Sequence, residues 1–175
     1  MKKALLTLVV LIAAIAGVKA QDTNRYSFVT TIGTGIPMSS PASTPLTWQA
    51  LGYYNLTDRW AVGVGTGLSF YEKTLLPLYG DVKFQIGRER KITPYLELAA
   101  GYSFALSKDA VGGYFFNPSV GIQYPLKNKM KLRLAVGYES QDMKRLKKKS
   151  DSYFSKEFEE ELWHQSISIK LGLCF

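Results

Sequence analysis

The sequence predicts an all-β protein, an eight-stranded antiparallel up-and-down transmembrane β-barrel. Three observations predict it. Eight segments alternate apolar and polar residues with period two, the connections between them sort into short and long by turn, and charged residues lie within the polar faces of the strands.

The first twenty residues are set apart from the barrel. Lys2 and Lys3 make a positive start, Ala4 to Gly17 an apolar run, and Val18-Lys19-Ala20 a small-residue cleavage site before Gln21. The run is shorter than the roughly 18 to 20 apolar residues a spanning helix needs. Residues 1–20 are therefore expected to be a cleaved signal peptide, and 21–175 a single barrel domain.

Taken in order, the first two segments, Tyr26 to Ile36 and Leu46 to Tyr54, alternate least clearly. In the third, Trp60, Val62, Val64, Leu68 and Phe70 oppose Ala61, Gly63, Gly65, Gly67 and Ser69. In the fourth, Leu78, Val82, Phe84 and Ile86 oppose Tyr79, Asp81, Lys83 and Gln85. The fifth sets Leu96, Leu98, Ala100, Tyr102 and Phe104 against Glu97, Ala99, Gly101 and Ser103, and the sixth Val120, Ile122 and Tyr124 against Ser119, Gly121 and Gln123. The seventh sets Leu132, Leu134, Val136 and Tyr138 against Lys131, Arg133, Ala135, Gly137 and Glu139. The last is the cleanest: Trp163, Ile167, Ile169, Leu171, Leu173 and Phe175 share one face, His164, Ser166, Ser168, Lys170, Gly172 and Cys174 the other.

After even segments the connections are short and polar, at Asn55 to Arg59, Gly87 to Lys91 and Leu126 to Lys129. After odd ones they are generally longer, at Pro37 to Pro45, Leu106 to Gly113 and above all Asp142 to Glu161, with a short exception near Glu72 to Thr74. An even-stranded membrane barrel with both termini on the periplasmic side is connected in this way.

The polar face carries Asp81, Lys83, Glu97, Lys131, Arg133, Glu139 and Lys170, with His164 beside them. A base at mid-depth on the lipid side would cost about 2–4 kcal/mol, so this face is expected to line the lumen as a paired charge network. Counting register along consecutive hairpins brings Lys83 near Glu97 and Glu139 near His164. Aromatics gather at two levels, with Tyr54, Trp60, Tyr124 and Phe175 at one rim and Trp48, Phe70, Phe104 and Trp163 at the other, the girdle pattern of membrane barrels. An eight-stranded lumen is filled by side chains, which argues against a wide pore.

Composition narrows the function classes. Removing Lys2, Lys3 and Lys19 takes 22 basic residues to 19 against 14 acidic, a net charge of +5. The aromatics alternate with aliphatics in strands and do not interleave with Lys and Arg, so no nucleic-acid surface is expected, and anionic lipid headgroups are the better partner. One histidine and one cysteine, His164 and Cys174, cannot complete a tetrahedral metal site, and Gly63, Gly65 and Gly67 precede no helix, so neither metal, nucleotide nor other cofactor is expected. A periplasmic lipocalin-type binder would show Gly-x-Trp before its first strand, which Trp48, Trp60 and Trp163 do not provide.

Across its whole mature length the chain resembles the small bacterial outer-membrane barrels of the OmpA-transmembrane-domain and OmpX type. The ending Lys170-Leu171-Gly172-Leu173-Cys174-Phe175 looks like that family's C-terminal insertion signal. The resemblance implies an outer-membrane location and recognition by the barrel-assembly machinery, with Gly172 and Phe175 as the reading points. The leading expectation is a non-enzymatic outer-membrane barrel with a structural or surface-interaction role. In its long last loop Lys144, Arg145, Lys147, Lys148 and Lys149 are candidates to grip lipopolysaccharide phosphates, while Glu157, Glu159, Glu160 and Glu161 bind divalent cations or fold back on them. A narrow channel is one alternative. The other is a lipid A-modifying hydrolase: His164-Gln165-Ser166 has the histidine-to-serine spacing of a lipid A deacylase family, with Glu139 as an acid across the strand pair, although the alternation turns both residues to the lumen.

Overall fold

Each alternating segment buries one face and exposes the other, and the only way for such strands to satisfy their edges without a second layer is to close on themselves. In a computed structural model the chain does so. Strands β1 (Tyr26–Pro37), β2 (Leu46–Asn55), β3 (Trp60–Phe70), β4 (Thr74–Gln85), β5 (Thr93–Ala105), β6 (Ala110–Pro125), β7 (Lys131–Asp151) and β8 (Phe154–Cys174) form a closed barrel in sequence order. Every neighbouring pair is antiparallel. The structure describes residues 25–39, 44–71, 74–87, 91–106, 110–126, 130–151 and 154–175, with backbone alone at 110, 143–151 and 154–162. The expected signal peptide lies outside the described residues.

The seam joins the two strands farthest apart in sequence, from Val29↔Cys174 to Pro37↔Ser166. Phe175 closes it by exchanging backbone hydrogen bonds with Phe28, its N–H donating at 2.8 Å and its carbonyl accepting at 3.2 Å.

The faces follow the alternation, and the two weak strands acquire definite sides. In β1 Val29, Thr31, Gly33 and Gly35 turn inward, and in β2 Thr47, Gln49, Leu51 and Tyr53 do. Inside, Tyr53, Tyr79, Tyr95 and Phe115 are the buried aromatic side chains among the described residues. Glycines on the neighbouring strands make room for them: a Cβ at Gly65 would stand 2.6 Å from the ring of Tyr79, and one at Gly121 2.5 Å from that of Tyr95. At the β4–β5 turn Gly87 takes φ 83°, a left-handed conformation that side chains disfavour.

Two sequence expectations are corrected. Asp142 to Glu161 is not a long irregular loop, because β7 and β8 stay paired from Asp142↔Trp163 to Asp151↔Phe154 as an extended hairpin. Three basic positions face acidic ones along it, Lys144↔Glu161, Arg145↔Glu160 and Lys148↔Glu157, while Lys149 faces Lys156, and opposite-charge cross-strand positions favour a ladder that apolar alternation does not announce. Likewise Leu106 to Gly113 contains the start of β6, whose pairing with β7 shifts register between Gly112 and Phe115, a bulge that the flanking glycines accommodate.

Candidate functional site

Because the barrel turns its polar face inward, the candidate site is the lumen itself. Among its expected charges Asp81, Lys83, Arg133, Glu139, Lys170 and His164 are buried, Glu97 is partly buried, and Lys131 stands half-buried where β7 begins. They fall into two groups along the axis.

Toward the short turns the centre is Arg133. Its Nη2 pairs with Glu97 Oε2 across from β7 to β5, and its guanidinium lies 4.4 Å from the centroid of Tyr95 and 5.8 Å from that of Tyr53. Lys83 places its Nζ 5.0 Å from the same Tyr53 ring. Ring faces attract cations through their quadrupole, so two aromatic residues share the work of solvating two bases. The Tyr53 hydroxyl donates to Asp81 Oδ1 at 2.7 Å, and below this layer Gln123 donates to Gln85 at 2.9 Å. The expected neighbourhood of Lys83 and Glu97 is present in the register, Lys83↔Glu97. The hydrogen-bonded ion pair of Glu97, however, is with Arg133, which reaches the carboxylate from two strands away.

Toward the other end the charges are joined through neutral groups. Lys170 donates to Asn117 Oδ1 at 2.8 Å and to Gln49 Oε1 at 3.2 Å. The Asn117 amide in turn donates to Ser168 at 3.1 Å and to Glu139 Oε2 at 3.3 Å. The second oxygen of Glu139 accepts from the Tyr71 hydroxyl at 2.6 Å. Tyr71 comes from the short connection after β3 and folds inward against Leu75 and the His164 ring, whose centroid is 5.1 Å away. Burial, and then the charge of Glu139, push the Tyr71 hydroxyl well above the ordinary phenol range, so it stays a donor. Nearby, Ser103 donates to Gln141 at 2.8 Å.

The expected pairing of Glu139 with His164 is displaced by one inward position: Glu139 stands opposite Ser166, and His164 opposite Gln141. His164, Ser166 and Glu139 are thus near one another. Yet the carboxylate is taken up by Tyr71 and Asn117, and His164 and Ser166 are 3% and 2% exposed on the lumen side, away from lipid. Among the described residues no group of three or more His, Cys, Asp or Glu is placed to hold a metal ion.

At the seam Gly172 faces inward, where a Cβ would stand 2.5 Å from the Thr31 methyl, while Phe175 is exposed on the outer face. The five bases from Lys144 to Lys149 sit on the hairpin extension of β7, whose backbone alone is described there. Sequence reasoning did not single out Tyr53, Tyr71, Tyr95, Asn117 or Gln49. Strand parity places Asn117 with Ser119 and Gln49 with Thr47, but nothing in the sequence brings Tyr71 inward from a turn.

No family model matches the chain. No curated protein matches it either. Solved structures do: the chain is similar to Neisserial surface protein A, with a TM-score of 0.61 at 11% identity over 85% of this chain and 95% of that one. It is similar to the outer membrane protein AlkL, determined in DMPC lipid bilayers, with a TM-score of 0.59 at 12% identity over 86% and 89%. It is also similar to the outer membrane protein OprG of Pseudomonas aeruginosa, with a TM-score of 0.58 at 12% identity over 85% and 95%. At such identities the likeness speaks to fold. The chain has the closed, all-antiparallel, eight-stranded architecture of the small outer-membrane β-barrels.

Proposed function

We propose that the chain is an integral outer-membrane β-barrel, exported by a cleaved signal peptide and handed to the barrel-assembly machinery through Gly172 and Phe175, which serves a structural or surface-interaction role without catalysis. One observation carries this reading: the wall is inverted relative to a water-soluble protein. Val64 is 70% exposed while the charged Arg133 and Glu139 are 2% and 1% exposed. Apolar side chains cover the outer face from Phe28 and Ile32 on β1 to Ile167, Ile169 and Leu171 on β8. In water that surface would far exceed what a monomer tolerates, whereas in hydrocarbon it costs nothing. The aromatic and hydrogen-bonded filling of the lumen supports a closed barrel over an aqueous channel.

Two measurements test the reading. The protein should fractionate with outer membranes and migrate faster on detergent gels before heating than after. Protease added outside cells should clip it near Lys147. A chain that dissolves without surfactant, with Ile167, Ile169 and Leu171 in its interior, overturns it.

The surface role is assigned to the hairpin. Its five bases are the proposed contacts for lipopolysaccharide phosphates, and the acids opposite three of them in register, Glu161, Glu160 and Glu157, compete for the same charges. Changing Lys144, Arg145, Lys147, Lys148 and Lys149 to Gln should lower lipopolysaccharide affinity more at low salt than at high salt; unchanged affinity rejects the contact.

A further inference from the structure

On the outer face, near the short-turn end, lies a cleft of about 400 Å³ lined by Tyr26, Phe28, Gly52, Tyr54, Val62 and Val64, with Tyr53 and Gly63 beneath. A volume of that size is at the lower end of ligand-sized sites. Its floor is Gly52, and the wall does not need a glycine there. A Cβ at Gly52 would meet only the Phe28 ring, at 3.6 and 3.8 Å, which is ordinary contact. By contrast, one at Gly63, on the inner face beside it, would stand 2.5 Å from the Gly52 carbonyl. Nor does Gly52 have the positive φ that distinguishes Gly87. A glycine inside a strand weakens it and leaves room for close approach of another group, and here it opens the floor of the cleft.

The chemistry of the lining names the ligand. The long sides, Phe28, Val62 and Val64, are wholly apolar and open to the hydrocarbon region. The end is framed by Tyr26 and Tyr54, whose rings pack at 5.3 Å with hydroxyls at the interfacial level. Just beyond, Arg25 precedes Tyr26 on β1 and Arg59 precedes Trp60 on β3, so an exposed arginine stands at the short-turn end of each of the two strands that flank β2. Asp58 is the one acid beside them in that turn. An apolar trough ending between two arginines matches an acyl chain with a phosphate at its head.

We propose that this cleft binds one acyl chain of an anionic glycerophospholipid from the leaflet at the short-turn end, with its phosphate held by Arg25 and Arg59. The site rests on the membrane reading above. The test uses the full mature chain with Trp48→Phe and Trp163→Phe, leaving Trp60 as reporter, folded into phosphatidylcholine vesicles. A minor share of the lipid carries brominated acyl chains, either as phosphatidylglycerol or as phosphatidylcholine. Brominated phosphatidylglycerol should quench Trp60 with an apparent affinity about thirtyfold above that of brominated phosphatidylcholine, the gain expected of two interfacial arginine contacts. Gly52→Leu fills the floor and should abolish that excess. Arg25→Gln with Arg59→Gln should equalise the two lipids, and decides the matter alone if Gly52→Leu yields no heat-modifiable band. Equal quenching in the starting protein, or an excess that survives either change, overturns the site. A protein quenched by neither lipid and lacking heat-modifiable migration overturns the membrane reading itself.

Discussion

At the short-turn end of the lumen a guanidinium is held directly against a carboxylate and between two rings, whereas toward the other end a carboxylate and an ammonium meet only through the amide of Asn117. The first arrangement concentrates dependence on one pair, Arg133 and Glu97. The second spreads it over Gln49, Asn117, Ser168, Lys170, Glu139 and Tyr71, each holding the next in place. Buried ionic groups are costly when half-removed and nearly neutral when removed together, so the two ends should answer mutation differently.

The largest effect is expected at the direct pair. Arg133→Met leaves the Glu97 carboxylate buried without its partner and should cost about 3–5 kcal/mol in urea unfolding of the folded barrel, most of it recovered when Glu97→Leu is added. Additive losses in that double variant would mean that the pair does not act as a unit. Asn117→Leu, which takes one hydrogen bond each from Glu139 and Lys170, should cost about 2–3 kcal/mol. Here no single second change restores stability, because the ammonium and carboxylate each lose a different bond.

Tyr71→Phe keeps the ring against His164 and removes one donor, for about 1.5 kcal/mol by the same assay. Its pH dependence sharpens the comparison. The unfolded chain loses the Tyr71 proton in the ordinary phenol range while the folded chain keeps it, so this residue's contribution to wild-type stability is present at neutral pH and declines as the pH rises past that range. The gap between wild type and the Phe variant should narrow there, and a gap unchanged by alkaline pH would show that Tyr71 does not hold its proton. The smallest effect is expected in the hairpin. Replacing Glu157, Glu159, Glu160 and Glu161 with Gln should shift global unfolding by less than about 1 kcal/mol while speeding proteolysis within 142–162.

The difference between the two lumen ends also explains how much was legible beforehand. Side assignment is a period-two property, so β3 to β8 could be read wherever one face is apolar and the other polar, and the lumen charges Asp81, Lys83, Glu97, Arg133, Glu139 and Lys170 follow from parity. Register between adjacent strands was legible where the turn is short, as at Lys83↔Glu97, and slipped by one inward position at Glu139, where the count ran through the long hairpin. Contacts across the lumen, Arg133 with Glu97 or Tyr53 with Asp81, join strands that are not neighbours and depend on barrel closure, which no local pattern encodes. The hairpin was hidden for another reason: its paired segments are rich in charge, and charge runs read as solvated loop. The Gly52 cleft could be noticed as a glycine on an apolar face, but only the surrounding rings give it walls.

The β1–β8 seam bears on how such a chain is made. Because every other strand pair is a local hairpin, seven ladders can zip in any order, while the eighth must wait for the two ends of the domain to find each other. Until then β1 and β8 are borders bearing unmatched amides, open to pairing with another chain, and the contact that removes them is the one of greatest sequence separation in the barrel.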